Sequence, residues 1–168
     1  MAGELPVMIE ELAFQGAIAI YRFLPAYLAN ASAMAFGGGR TIDGGRTFID
    51  GKPIFGSHKT IRGAIAGAIV GSIVGLAQGE AVLGILMGLG AIFGDLAGAF
   101  LKRRLSLAPG APLPVMDQFD FLFAAYLLSS RSLQLPPSSI LLAFICTPAV
   151  HAVSNYFSFL LGMKEVPW

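Results

Sequence analysis

The sequence predicts an all-α, polytopic integral membrane protein with five transmembrane helices, its N-terminus outside and its C-terminus in the cytoplasm. Two observations carry the fold class. Hydrophobic residues make up 55% of the 168 positions and charged residues only 12%, against about a quarter charged in a soluble domain. The apolar residues also fall into runs of bilayer length: crossing the hydrocarbon core takes about 20 mostly apolar residues as a helix, and lipid contact forbids unpaired backbone, so each run reads as a helix.

The first run, residues 12–36, is interrupted by Gln15, Arg22, Pro25 and Asn30. The acidic start, Met1 to Glu11, lacks the basic region of a secretory signal, so this run is kept as a span. The second covers 61–77, and the third, 81–101, has Asp95 as its only ionisable residue. Only Gln78, Gly79 and Glu80 separate these two, which makes them a helical hairpin. The fourth covers 118–135, where Pro136 and Pro137 are expected to break it, and the fifth 140–161. The chain thus reads as a single transmembrane domain over 1–168, with polar loops at 37–60 and 102–116.

Orientation follows from the basic residues, which favour cytoplasmic loops. Arg40, Arg46, Lys52, Lys59 and Arg62 precede the second span, and Lys102, Arg103 and Arg104 follow the third. The hairpin puts both segments on one side, with Lys164, while Arg131 lies opposite. Gly63, Gly67, Gly71 and Gly75 recur at four-residue spacing, as do Gly90, Gly94 and Gly98. Such stripes let helices approach closely. A homodimer seam is one use for them; packing of spans two and three within the chain is the expected one.

Several chemistries are excluded. A net charge of +1 gives no case for nucleic acid, the lone Cys146 cannot form a disulfide framework, and His58 and His151 are too few for a zinc centre. No nucleotide P-loop is present: Pro53 follows Lys52, and Arg46 stands where the first glycine belongs. Asp43 and Asp50 read as turn residues.

What remains is a set of acids and bases at one margin of the bilayer. Asp95 lies within a span, where an ionised group costs a few kcal/mol unless paired or wetted; the bland alternative is a contact with a buried group such as Arg22. Asp117 and Asp120, three apart, can project from one side of a first helical turn, where acids also cap helices. Three carboxylates with no histidine or thiolate suit a hard cation such as Mg2+. Lys102, Arg103 and Lys59 approach the same margin and suit a polyphosphate. Acids for metal beside bases for phosphate imply a nucleotide.

GDLAGAFLKR followed by DQFD resembles the signature of the phosphatidate cytidylyltransferase superfamily, the CDP-diacylglycerol synthases. SHKTIRG, with Ser57, Lys59, Thr60 and Gly63, matches its S-x-K-T-x-x-G element, in the same order and before a span. Gly98 and Ala99 stand where bacterial members have Glu-Ser, Leu113 to Met116 replace a histidine-glycine-glycine, and Gln118 replaces the arginine of D-R-x-D. The IDGGRTFIDGKPIFG run resembles instead the five-span archaeal branch, the CDP-archaeol synthases.

The resemblance spans Asp43 to Asp120. It implies Asp95, Asp117 and Asp120 as metal and catalytic carboxylates, with Lys102 beside them. It implies Lys59, Thr60, Lys102 and Arg103 as nucleotide contacts, and more weakly Arg62 and Arg46. The activity it implies is transfer of CMP from CTP to the bis-geranylgeranyl ether of glycerol phosphate, an archaeal di-ether lipid phosphate, at the cytoplasmic face of the plasma membrane. A groove open sideways between helices is expected, with Arg22, Asn30, His151 and Asn155 as candidate lining residues; interhelical hydrogen bonding is the preferred role for the last two. A small transporter or channel is the rival class, and it requires polar residues at several depths.

Overall fold

The computed structural model describes residues 4–109, 111, 113–160 and 162. Among them the chain forms α1 (Glu4–Ala35), α2 (Ile61–Ala77), α3 (Ala81–Arg104), α4 (Pro114–Ser129) and α5 (Pro137–Leu160). Among the described residues, extended pairing is confined to two isolated bridges, Thr41 with Thr60 and Thr47 with Pro53. Three stretches, Leu5–Ala35, Ala81–Arg104 and Pro137–Phe157, are long and apolar enough to cross a membrane, and Ile61–Ala77 is a shorter apolar helix.

The helix ends differ from the sequence expectation for identifiable reasons. The first helix begins at Glu4 rather than residue 12, because Leu5, Val7, Met8 and Ile9 continue its apolar character and acids near a helix start face the positive end of its dipole. The third continues to Arg104, so Lys102, Arg103 and Arg104 are helical rather than loop residues; bases suit a carboxyl-terminal turn. The fourth starts at Pro114 and ends at Ser129 instead of covering 118–135. Pro137 begins the fifth helix rather than breaking the fourth, since a first-turn residue needs no amide donor. Leu161, Lys164, Gly110 and Pro112 lie outside the described residues.

Helix α2 has two faces distinguished by size. Gly63, Gly67, Gly71 and Gly75 are buried, whereas Ile65, Ile69 and Ile73 are exposed. A Cβ on Gly71 would stand 2.7 Å from Gly88 Cα of α3, and one on Gly67 would stand 2.7 Å from the Ala29 carbonyl of α1. The second stripe has a different partner from the one the sequence suggests. Gly90, Gly94 and Gly98 face α4, with a Cβ on Gly90 falling 2.6 Å from Ala125 Cα. Both stripes are therefore used within the chain.

The core joins α1, α3, α4 and α5 through Phe23, Met87, Phe121, Leu122 and Ala143. Tyr27 stacks edge-on to Phe121 at 5.8 Å, and its hydroxyl shares a 2.7 Å hydrogen bond with Thr147 of α5. At the hairpin turn, Arg22 forms an ion pair with Glu80 and Gln78 donates to the Tyr21 carbonyl at 2.6 Å.

Candidate active site

The connector between α1 and α2 is folded around one carboxylate. Asp43 is 8% exposed and accepts N–H groups from Gly45 at 2.9 Å, Phe55 at 2.9 Å and Gly56 at 3.1 Å. Burial raises its pKa, but these amides and the Thr41 hydroxyl outweigh burial and bring it down to about 2. Gly56 supplies its amide from φ +96°, a conformation open to glycine. Asp43 is thus a turn residue, as expected, and also the hub of its loop.

That loop is fastened to the end of α3. The Arg104 guanidinium lies over both Phe48 and Phe100, 4.9 and 4.6 Å from their centroids, and its Nη2 donates to the Pro53 carbonyl at 2.6 Å. Its Nε is 3.0 Å from Asp50 Oδ2, an ion pair in which the N–H is not aligned for a hydrogen bond. Lys52 Nζ donates to the Arg104 carbonyl at 3.0 Å and the Ser106 hydroxyl at 2.8 Å. The two polar loops therefore share one end of the bundle.

The three aspartates come to this end on α3 and α4. Lys59 Nζ is 2.6 Å from Asp95 Oδ1, so Asp95 takes its cation from the loop and not from Arg22. Lys102 is 2.7 Å from Asp117 Oδ1 and also donates to the Ala111 carbonyl at 3.0 Å; the other Asp117 oxygen accepts the Leu113 amide at 2.8 Å. Asp120 accepts the Phe121 amide at 2.6 Å, and Asp95, Asp117 and Lys59 all stand within electrostatic range of it.

Among the described residues, no three acidic, histidine or cysteine side chains are already grouped to hold a metal ion; Asp95 and Asp117 are each paired with a lysine. The donor chemistry fits a hard divalent cation: every candidate ligand is a carboxylate oxygen, and two of the three already neutralise a positive charge. Occupation would require Lys59 and Lys102 to give up their carboxylates.

The other sequence-predicted site residues fall into two groups. Arg103 is 4% exposed, has no carboxylate partner among the described residues, and leaves Nε unpaired while Nη2 donates to the Ala108 carbonyl at 2.9 Å. It lines a cavity of about 210 Å³ with Lys52, Pro53, Ser106, Leu107 and Pro109. A buried guanidinium without an acid is expensive unless an anion completes it.

Thr60, by contrast, caps α2 and accepts amides from Gly63 at 3.2 Å and Gly38 at 3.1 Å. Arg62 closes the end of α1, donating to the Phe36 carbonyl at 2.8 Å and to the Gly37 carbonyl. Arg46 is exposed on the loop. Lys52 was not among the expected site residues; its only sequence signal is membership of the glycine-rich connector, and Pro53 after it argued against a phosphate loop. Asn30 is half-buried on α1, His151 packs its ring 5.6 Å from Phe121, and both His151 and Asn155 have interaction partners.

Comparison with known proteins shows the family. The family model described as "CarS-like: CDP-archaeol synthase" matches residues 11–82 and 77–168. A CDP-archaeol synthase from Thermococcus onnurineus is 42% identical over 162 residues, covering 89% of this chain and 95% of the relative. One from Methanopyrus kandleri is 44% identical over 158 residues, covering 89% and 91%. A solved structure described as "Structural insight into an intramembrane enzyme for archaeal membrane lipids biosynthesis" superposes with a TM-score of 0.72 at 36% identity, covering 82% of this chain and 92% of that one. With both sequence and fold matched along most of its length, the chain belongs to the CDP-archaeol synthase family.

Proposed function

We propose that this chain is a CTP-dependent cytidylyltransferase that transfers CMP to the bis-geranylgeranyl ether of glycerol phosphate, yielding CDP-archaeol and pyrophosphate. One observation supports the reading beyond family membership: the Lys59–Asp95 and Lys102–Asp117 pairs lie at the end of the bundle where a buried, acid-free Arg103 lines a cavity. That is the charge pattern a nucleotide polyphosphate with its cation requires.

The lipid phosphate is already an anionic nucleophile, so no side chain need be activated. Its oxygen attacks the α-phosphorus of CTP, a phosphoanhydride forms to the lipid phosphate, the bond to the β-phosphate breaks, and pyrophosphate leaves. The protein's work is alignment and charge neutralisation. Asp95, Asp117 and Asp120 would hold Mg2+, which when bound supplies neutralisation at the phosphates. Lys59 and Lys102, released from Asp95 and Asp117, then face the polyphosphate, and Arg103 with Lys52 binds phosphate oxygens at the cavity. Thr60, Arg62 and Arg46 contribute less directly: the first two hold the loop and helix ends in place, and Arg46 adds positive potential.

The bilayer arrangement follows from the same residues. The reading takes 1–168 as one domain with all five helices crossing the plasma membrane. The end bearing Arg40, Arg46, Lys52, Lys59, Arg62 and Lys102 to Arg104 faces the cytoplasm, where CTP arrives, while the lipid tails remain in hydrocarbon. A transporter has less support, because the charge of Arg22, which lies away from the site, is neutralised by Glu80.

The test is pyrophosphate release by purified protein given CTP, Mg2+ and either the archaeal di-ether phosphate or phosphatidic acid. Turnover with the di-ether lipid is expected; no release with either lipid would eliminate the enzyme. Asp117→Asn should abolish turnover without unfolding the protein, and retained activity would dismiss Asp117 as a metal ligand.

A further inference from the structure

Two glycines of α3 meet the same residue of α4 in different ways. A Cβ on Gly94 would collide with the backbone carbonyl of Asp120, whereas a Cβ on Gly98 would overlap its carboxylate, with the nearest atom being Oδ2. Backbone cannot yield without moving a helix; the far end of a side chain can turn aside. Gly94 therefore sets how closely α3 and α4 approach, whereas at Gly98 the tightest contacts are with the carboxylate and the Asp120 Cβ stands 3.2 Å away.

Asp95, on the same helix three residues before Gly98, places its carboxylate within electrostatic range of Asp120. Among the described residues Asp120 has no ion pair with a lysine or arginine, unlike Asp95 and Asp117. Its carboxylate is held by the Phe121 amide on Oδ1 and by the space over Gly98 that Oδ2 occupies.

We infer that Gly98 is a positioning residue: the absence of a side chain there lets the Asp120 carboxylate lie against α3, the helix that carries Asp95. The inference rests on the metal role proposed above for Asp120. It accounts for a glycine at a buried helical position where alanine would otherwise be favoured by roughly 1 kcal/mol.

The experiment uses the full chain in detergent, with Mn2+ as the probe and its binding followed by loss of the free-ion paramagnetic signal, without nucleotide. Gly98→Ala should keep the parent's thermal midpoint and weaken Mn2+ binding by about tenfold, the scale on which supporting residues tune metal affinity. In an Asp120→Asn background, Gly98→Ala should cause no further weakening, because the glycine acts only through that carboxylate. In the lipid assay the Mg2+ requirement should rise while the KM for CTP stays put.

Parent-like Mn2+ binding by Gly98→Ala would overturn the inference while leaving the aspartates in place. Parent-like binding by Asp120→Asn would instead remove Asp120 from the metal site, and with it the reading beneath. Should Gly98→Ala fail to fold, Asp120→Ala is introduced into the same chain: recovered folding supports the shared space, and continued failure shows that the glycine serves packing alone.

Discussion

Helix α3 is gripped along two seams, and both use glycine at four-residue spacing. Against α2, glycine meets glycine: Gly71 with Gly88 and Gly75 with Gly84, backbone on backbone. Against α4, glycine meets Ala125, then the backbone of Asp120, and finally its carboxylate. At these glycines the first seam is packing alone. The second begins as packing and ends against a carboxylate, so one sequence device both builds the membrane scaffold and makes room for the Asp120 side chain. A stripe of small residues must therefore be judged by what lies across from it.

Substitutions separate the two seams. Gly84→Leu should have the largest effect, because its side chain would have to enter the backbone of α2 near Gly75. Overpacking of this kind costs about 1–3 kcal/mol where side chains can adjust, and more where only backbone is present. The expected outcome is little or no folded protein by size-exclusion chromatography, and a monodisperse variant of normal thermal midpoint would break the comparison. Next comes Arg103→Ala on the chemical side, where loss of a charge-assisted contact to phosphate is expected to raise the KM for CTP by about tenfold or more with the fold intact.

Asp43→Ala should act more weakly, freeing three backbone amides of the connector and raising the KM for CTP several-fold without disturbing either seam. The same carboxylate makes a pH prediction. Its folded pKa, about 2, lies below the unfolded value of 3.8, so its contribution is present above pH 3.8 and lost as pH falls from there towards 2. Amide exchange at Phe55 and Gly56 should rise in that window while exchange in α2 and α3 does not. Arg46→Ala should have the smallest effect, within about twofold on CTP binding, as befits an exposed charge. A larger loss would mean that Arg46 folds down onto the nucleotide.

Much of this was legible in the sequence. Apolar runs separated by short turns and basic loops specify a helical membrane protein whatever the details of packing, and Asp95, Asp117 and Asp120 stood out because acids near a bilayer are costly. The helix limits were harder to read, since Pro114 and Pro137 break a helix interior but suit its first turn. The partners of the acids were harder still. Lys59 is 36 residues from Asp95, a pairing made only when the connector folds back around Asp43. Motif matching also does not distinguish a ligand-binding hydroxyl from a helix cap, and Thr60 is visibly a cap.

The lysine pairs bear on how the chain enters the membrane at all. An unaccompanied aspartate or lysine resists transfer from the insertion machinery into lipid. Lys59 beside Asp95 and Lys102 beside Asp117 offset part of that burden once the connector has folded back. Once the helices have settled, Asp95 and Asp117 rest against lysines rather than as unaccompanied charges.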